Sequence, residues 1–279
     1  MSDILKFLEV AKAASLEAGK IHMEFFDKTK DISYKCNKFD LVTNVDKSSE
    51  KIIESIIMEN FPEHAILGEE EGIKGDKSSE YLWIVDPLDG TTNYTHNFPH
   101  FAVSIGMYHY GKPCIGVIYD SFKKEMFYAA KGEGAYLNYP VIESEAKQST
   151  KDKKIMVTEV AKIENALLAT GFPYSREGIM EENLAYFKEF LYQAQAVRRP
   201  GSASLDLAYV ACGRLDGFWE LNLSPWDVAA GVCIIEEAGG KVSNIASETF
   251  DYNTKNIIAS NAAIHKQIEE IILQVRKSF

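Results

Sequence analysis

The chain has 279 residues, of which 46% are hydrophobic and 25% are charged, proportions that are ordinary for a globular protein. Its formal net charge of −11 makes a nucleic-acid backbone an unfavourable partner, so direct nucleic-acid binding is not expected. No apolar run approaches membrane-spanning length, and no secretory leader pattern is present, so we expect neither insertion nor export. The four cysteines lack metal-binding spacing, which predicts reduced thiols and a cytoplasmic location.

The first predicted element is a long amphipathic helix, because apolar residues step by three and four from Ile4 to Phe25. A short β pair is predicted across residues 32–44, and a second helix is predicted to end before Pro62. Residues 81–85 form an apolar run that is typical of a buried strand. Strands near 101–109, 114–120 and 125–130, joined by short turns, then predict an antiparallel meander.

Residues 141–153 are rich in Glu, Lys and Ser and are predicted to mark the boundary between two halves, 1–150 and 151–279. The second half is predicted to begin with a strand at 155–158. Helices are then predicted at about 163–169, 180–196, 203–212, 227–238 and 264–276, and strands near 215–221 and 256–260. The alternation of helices and strands predicts an α+β fold.

The stretch from Trp83 to Asn93 carries the strongest chemical signal. The apolar strand ends in Asp86-Pro87-Leu88-Asp89, and Pro87 predicts a turn that brings both carboxylates and the Leu88 carbonyl toward one point. Such hard oxygen ligands suit Mg²⁺. The amides of Gly90 and Thr91 follow, where a helix start would favour an anion. Metal ligands beside phosphate-binding amides indicate metal-assisted hydrolysis of a phosphate ester, although ordinary turn and cap chemistry explains the same residues.

Two distant acidic segments add to this signal. Gly68-Glu69-Glu70-Glu71 follows a short apolar approach, and its alternative interpretation is a solvated acidic loop. Asp227 lies at the start of an apolar helix that runs to Glu237 and is closed by glycines. An acidic residue in a first turn is often only compensation of the helix dipole.

Taken together, these segments resemble the inositol monophosphatase family, whose motifs are Asp-Pro-Ile/Leu-Asp-Gly-Thr/Ser and Trp-Asp-x-Ala-Ala/Gly-Gly. The resemblance runs over nearly the whole chain. Its segments are Lys35 with 40–46, 68–70, 83–93, 98–106, 201–203, 215–220 and 226–227. It implies a layered α/β/α/β/α sandwich, two or three Mg²⁺ ions per site, sensitivity to lithium and a homodimer.

The resemblance also implies roles for individual residues. The first Mg²⁺ is expected on Glu69, Asp86 and the Leu88 carbonyl, the second on Asp86, Asp89 and Asp227, and a third, hydrated ion near Glu69. Thr91, bonded to Asp46, is expected to activate the attacking water, so Glu69, Thr91 and Asp46 are the predicted catalytic residues. The Gly90 and Thr91 amides are expected to bind phosphate, and Asp89, Gly201, Ser202, Ala203 and Glu220 to hold the alcohol.

Several of these roles have plainer alternatives. Asp46 could simply cap the following helix. Lys35 could either tune the charge near the metals or lie on the surface, and Glu70 and Glu71 are expected to be solvated rather than ligands. Arg198 and Arg199 are two of only five arginines and could recognise a second phosphate, or merely sit as surface charge at a helix end.

The predicted activity is Mg²⁺-dependent hydrolysis of a phosphorylated polyol or sugar, with inositol 1-phosphate as the leading substrate. Fructose 1,6-bisphosphate and 3′-phosphoadenosine 5′-phosphate are the alternatives on the same metals, and the arginine pair keeps the former open. A regulatory role as a protein-binding partner is the alternative outside enzymology.

Overall fold

The computed structural model describes residues 3–28, 30–35, 41–144, 147–173, 178–246, 248 and 250–277. Cys36 and Asp40 lie outside these residues. The described α-helices are α1 (Asp3–Phe25), α2 (Asn44–Asn60), α3 (Thr91–Thr95), α4 (Met180–Gln193), α5 (Ala203–Ala211), α6 (Pro225–Glu237) and α7 (His265–Arg276). None of them is both long and apolar enough to cross a membrane.

The strands form three sheets. Strands β1 (Ile32–Tyr34) and β2 (Leu41–Thr43) make an antiparallel pair. The next eight are β3 (Ala65–Gly68), β4 (Gly72–Lys74), β5 (Tyr81–Asp89), β6 (Ala102–His109), β7 (Lys112–Asp120), β8 (Glu125–Ala130), β9 (Gly134–Ser144) and β10 (Lys147–Ile155), in the sheet order β10-β9-β8-β7-β6-β5-β3-β4. The last five are β11 (Leu167–Thr170), β12 (Ala196–Arg198), β13 (Gly217–Leu221), β14 (Lys241–Ser243) and β15 (Asn256–Ser260), in the order β12-β11-β13-β15-β14.

Helices and sheets alternate in five layers. Helices α1 and α2 cover one face of the eight-stranded sheet, with Phe7 and Trp83 in that core. Helices α5 and α6 fill the space between the two large sheets, around Leu207 and Phe218. Helices α4 and α7 close the outer face of the five-stranded sheet, around Phe190 and Trp219. The predicted α/β/α/β/α architecture is confirmed.

The middle helix α6 approaches the eight-stranded sheet very closely. Gly106 and Gly116 are paired across β6 and β7 and face α6. A Cβ atom on Gly116 would lie 2.2 Å from the Ala230 carbonyl oxygen, and one on Gly106 would lie 2.9 Å from the Ala229 backbone. Only glycine permits this contact, which places the first turn of α6, with Asp227, over the sheet.

Several predicted elements differ from the structure. The strand predicted at 155–158 ends at Ile155, and the helix predicted at 163–169 is a 3₁₀ turn (Ile163–Asn165) followed by β11. The predicted boundary at 141–153 falls within the β9–β10 pair, so a strand crosses position 150. The short strands β4, β11, β12 and β14 were not predicted, because three or four residues are too few for a clear periodicity.

His22, on α1, links the N-terminal helix to the strand that carries Asp86. Its side chain is fully buried, with Nε2 2.9 Å from the Pro87 carbonyl oxygen and Nδ1 3.2 Å from Ser121 Oγ. Because a carbonyl only accepts, Nε2 carries the proton and Nδ1 accepts from the serine hydroxyl. Burial lowers the pKa of His22 to about 4, although the Pro87 carbonyl opposes the shift.

We expect His22 to make the protein sensitive to acid. The unfolded chain protonates His22 below its ordinary pKa of 6.5, whereas the folded chain does so only near pH 4, so stability falls as the pH drops between these values. Across this pH range, the shift in the pKa of His22 corresponds to a loss of about 3 kcal/mol in the free energy of unfolding. His22→Gln should flatten the decline in the free energy of unfolding between pH 7.5 and 4, measured by urea denaturation.

The control is His96→Gln, because His96 is exposed. Part of the decline should persist in His22→Gln, since burial also lowers the pKa values of His100 and His265 to about 4. The same pH slope in His22→Gln and the parent protein would contradict the assignment.

Candidate active site

Strand β5 carries Asp86 and Asp89 through an irregularity rather than ending at the proline. Asp86 pairs with Ser104 of β6 and Asp89 pairs with Ala102, and the register shifts between them. Pro87 has no N–H to donate, so a bulge is where a strand tolerates it. The prediction that the strand ends at Asp86 was therefore wrong. The Leu88 amide donates to Asp86 Oδ1 at 3.0 Å and fixes that side chain.

Glu69 lies beside Asp86 because β3 and β5 are parallel. Gly68 is the register partner of Val85, so the residues that follow these positions emerge at the same edge of the sheet. Lys35 Nζ is 2.7 Å from Glu69 Oε1 and also pairs with Glu70. Lys35 therefore belongs to the site, and the prediction that Glu70 is solvated was wrong, since its side chain is only 6% exposed.

Asp46 both caps helix α2 and contacts Thr91, two interpretations that the sequence offered as alternatives. It is the third residue of α2, where its Oδ2 accepts from the Thr43 amide at 2.8 Å and the Thr43 hydroxyl at 2.6 Å in a capping box. Its Oδ1 lies 3.0 Å from Thr91 Oγ1, which is also 3.0 Å from the Leu88 carbonyl oxygen. Burial raises the pKa of Asp46 to about 6.

Helix α3 begins directly after a residue that must be glycine. Gly90 has φ +89°, and a Cβ atom there would lie 3.0 Å from the His100 carbonyl oxygen and 3.3 Å from that of Gly201. The left-handed backbone turns the chain from β5 into α3 and sets Thr91 above Leu88.

Asp227 arrives from the other side of the site, as the third residue of α6. Its Oδ2 accepts from the Ser224 amide at 2.6 Å in a second capping box. Burial, together with the charges of Asp89 and Glu69, raises the pKa of Asp227 well above its usual range. The pKa of Asp86 is likewise raised well above its usual range, by burial and by the charges of Glu69, Asp89 and Asp227.

Glu69, Asp86, Asp89 and Asp227 thus form an acidic cluster whose members destabilise one another's charge. In the part of the chain that the structure describes, no three His, Cys, Asp or Glu side chains already converge as a metal site. Carboxylate oxygens of the cluster are hydrogen-bonded to protein donors instead. Asp89 Oδ2, for example, accepts from the Ser202 hydroxyl at 2.5 Å and from the Ser204 amide at 2.8 Å. The donor set nevertheless suits Mg²⁺, because carboxylates and a carbonyl are hard ligands and a divalent cation would relieve the repulsion.

A pocket of about 510 Å³ opens beside this cluster. Its lining includes the predicted residues Glu69, Asp89, Arg199, Gly201, Ser202, Ala203, Glu220 and Asp227, together with Lys35. Arg198 is not among the lining residues; its exposed side chain donates to the Val197 carbonyl at 3.2 Å. Burial and the Asp89 charge raise the pKa of Glu220 to about 8.

Asp206 and the segment 171–173 also line the pocket and were not predicted. Asp206 is 1% exposed, and its buried Oδ1 has no hydrogen-bond partner among the residues that the structure describes. Glu220 packs against Gly171, where a Cβ atom would lie 2.2 Å from both carboxylate oxygens. The available signal for Asp206 was a lone acid within the apolar run of α5, a pattern that is typical of a functional position.

We expect the repulsion within the cluster to be measurable. Asp227→Asn removes one charge but keeps an oxygen to cap Ser224, so the melting temperature in EDTA should rise, by about 2–4 °C for each kcal/mol of relieved repulsion. Addition of Mg²⁺ should raise the melting temperature of the parent protein and not that of the variant. Asp251→Asn is the control, because Asp251 is exposed and its side chain accepts from the Asn253 amide at 2.7 Å. If the melting temperature in EDTA is lower in Asp227→Asn than in the parent protein, and unchanged in Asp251→Asn, the predicted repulsion is wrong.

Comparison with known proteins bears on what this site does. The model of the inositol monophosphatase family matches residues 3–278. A solved inositol monophosphatase from Anabaena (Nostoc) sp. is 41% identical, with a TM-score of 0.85 over 98% of this chain and 97% of the other. The fructose-1,6-bisphosphatase/inositol-1-monophosphatase of Aquifex aeolicus is 40% identical over 100% of this chain and 98% of its own length. The putative Nus factor SuhB of Neisseria meningitidis is 37% identical, over 95% and 97%.

The match over nearly the whole length, the five-layered fold and the order of the acidic segments agree with one another. The chain belongs to the inositol monophosphatase family.

Proposed function

We propose that this protein is a Mg²⁺-dependent phosphomonoesterase whose leading substrate is inositol 1-phosphate. The observation that carries the proposal is the convergence of Glu69, Asp86, Asp89 and Asp227, of which Asp86 and Asp89 are buried, beside the Thr91–Asp46 pair. Membership of a family of phosphatases supports the reaction class. By the same family analogy, we propose lithium sensitivity, a homodimer and a cytoplasmic location.

The acidic cluster would hold the ions. Glu69, Asp86 and the Leu88 carbonyl are proposed for the first Mg²⁺, Asp86, Asp89 and Asp227 for the second, and Glu69 for a third, hydrated ion. When bound, Mg²⁺ supplies charge neutralisation at the phosphoryl oxygens and a more acidic water. The hydrogen bonds that hold Asp89 and Asp227 would keep their carboxylates oriented as the ions enter and leave.

Thr91 and Asp46 are proposed to position the attacking water and take its proton. The Thr91 hydroxyl has a single hydrogen and two acceptors at 3.0 Å, the Asp46 carboxylate and the Leu88 carbonyl. When it donates to Asp46, its lone pairs are free to accept from water, and the proton can pass onward to Asp46. The buried carboxylate, with its raised pKa, is a suitable final acceptor.

The substrate would span the acidic cluster and the pocket. The Gly90 and Thr91 amides are proposed to bind phosphate oxygens, next to the ions. Asp89, Gly201, Ser202, Ala203 and Glu220 are proposed to contact the alcohol, and the buried Glu220 carboxyl suits a pair of vicinal hydroxyls. These contacts would favour a polyol over an apolar alcohol.

Fructose 1,6-bisphosphate is the second candidate substrate, because Arg199 lines the pocket and the Aquifex relative is named for both activities. A guanidinium at that position could pair with a second phosphate. The name of the Neisseria relative likewise keeps a regulatory partner role open alongside catalysis.

We expect Thr91→Ala to lower kcat by roughly a hundredfold or more, because it removes the hydroxyl that links water to Asp46. KM should change little, since the backbone amide remains. Thr91→Ser keeps the hydroxyl and should retain most activity. Phosphate release at saturating Mg²⁺ is the measurement. The control is Thr95→Ala, because the Thr95 hydroxyl donates to the Thr92 carbonyl at 2.9 Å and has no proposed role in the reaction. Near-normal turnover by Thr91→Ala would remove Thr91 from the mechanism.

The substrate test compares phosphate release from inositol 1-phosphate, fructose 1,6-bisphosphate and 3′-phosphoadenosine 5′-phosphate, each with and without Mg²⁺. Inositol 1-phosphate should give the highest kcat/KM, and only with Mg²⁺. Arg199→Met should reduce any activity on the bisphosphate severalfold, whereas Arg198→Met should not, because Arg198 does not line the pocket. Absence of release from all three by a folded, Mg²⁺-loaded protein would reject the proposed substrates.

A further inference from the structure

The loop that carries Glu69 contains three consecutive glutamates between β3 and β4. Lys35 pairs with both Glu69 and Glu70, and Lys74 Nζ lies 3.8 Å from Glu71 Oε2. Ion pairs between side chains do not by themselves fix a backbone, and three adjacent like charges favour an extended, open loop. Something else must hold this turn in shape if Glu69 is to meet Asp86.

Glu50, in the middle of α2, makes that contact. Its side chain is fully buried, and its two carboxylate oxygens accept from the backbone amides of Glu70 at 2.9 Å and Glu71 at 2.7 Å. The carboxylate also packs flat against Gly68, where a Cβ atom would lie 2.6 Å from Glu50 Cδ. The carboxylate thus fits the turn on both sides of Glu69 without touching its side chain.

Glu50 lies one turn beyond Asp46, on the same face of α2. Asp46 contacts Thr91, and Glu50 holds the Glu69 loop. One rigid helix therefore sets the distance between the segment that carries Glu69 and the segment that carries Thr91.

We propose that Glu50 is a positioning residue for Mg²⁺ binding, acting through the backbone of the Glu69 loop. This inference rests on the proposed function, since it assumes that Glu69 is a metal ligand. Charge-assisted bonds to two amides are strong, and residues that orient metal ligands typically contribute 10–100-fold to affinity.

The chain offers a matched control in Glu237. Its carboxylate accepts from the Gly132 and Gly134 amides, at 2.9 Å each, in the turn between β8 and β9. Glu50 and Glu237 thus share one chemistry, a carboxylate that accepts from two backbone amides of a turn, but the turn held by Glu237 carries none of the proposed metal ligands.

The test measures Mg²⁺ affinity by isothermal titration calorimetry in the intact protein, Glu50→Gln and Glu237→Gln. Glutamine keeps one acceptor but presents an NH₂ group to the second amide. We expect a Mg²⁺ Kd that is roughly tenfold higher in Glu50→Gln, and an unchanged Kd in Glu237→Gln. Amide hydrogen exchange at Glu70 and Glu71 should accelerate in Glu50→Gln only, and Glu50→Asp, which is one methylene too short to reach both amides, should not restore affinity.

An unchanged Kd in folded Glu50→Gln, or an equal loss in Glu237→Gln, would overturn the inference. If Glu50→Gln does not fold, exchange in the parent protein decides: the Glu70 and Glu71 amides should be protected and slow further with Mg²⁺, and unprotected amides would overturn the inference as well. A parent protein that binds no Mg²⁺ would instead overturn the proposed function.

Discussion

The concentration of negative charge at one point in the fold is the constraint on which the rest of this structure depends. Burial raises the pKa values of Asp86 and Asp227, and the charges of neighbouring carboxylates, Glu69 and Asp89 among them, raise both further. Folding offsets the cost of these charges with protein donors: a lysine, two serines and backbone amides. Because those donors hold the carboxylates without neutralising all of their charge, a bound cation would relieve the remaining repulsion.

The first turns of two helices fix the orientation of two carboxylates in the site. Asp46 and Asp227 are the third residues of α2 and α6, and each takes part in a capping box. One oxygen of each side chain is therefore fixed by the N-cap residue. The helix dipole also favours negative charge in a first turn. The capping interpretation and the catalytic interpretation of such residues are therefore compatible, because the cap provides the orientation that the chemistry needs. In α2 the same helix extends this control one turn further, through Glu50.

The remaining parts of the site come from different layers. The acidic cluster draws on the eight-stranded sheet and α6, whereas the side of the pocket that is proposed to hold the alcohol is lined by residues of α5, β13 and the segment 171–173. Arg199, Asp206 and Glu220 line this part of the pocket and are not among the proposed metal ligands, although the Asp89 charge contributes, after burial, to the raised pKa of Glu220. This separation gives a physical basis for relatives of similar fold that carry names for different substrates.

The sequence by itself determined the long helices, the central meander, the family and the acidic residues of the cluster, because these depend on strong local periodicity or on compact motifs. Only the tertiary structure decided that β3 lies parallel to β5, that a bulge carries Asp86 into Asp89, and that 163–169 is a turn and a strand. It also decided which of two adjacent arginines lines the pocket, and that Glu50 grips the Glu69 loop. Pairing between distant strands and the partner of a buried carboxylate are long-range contacts, and local patterns carry no information about them.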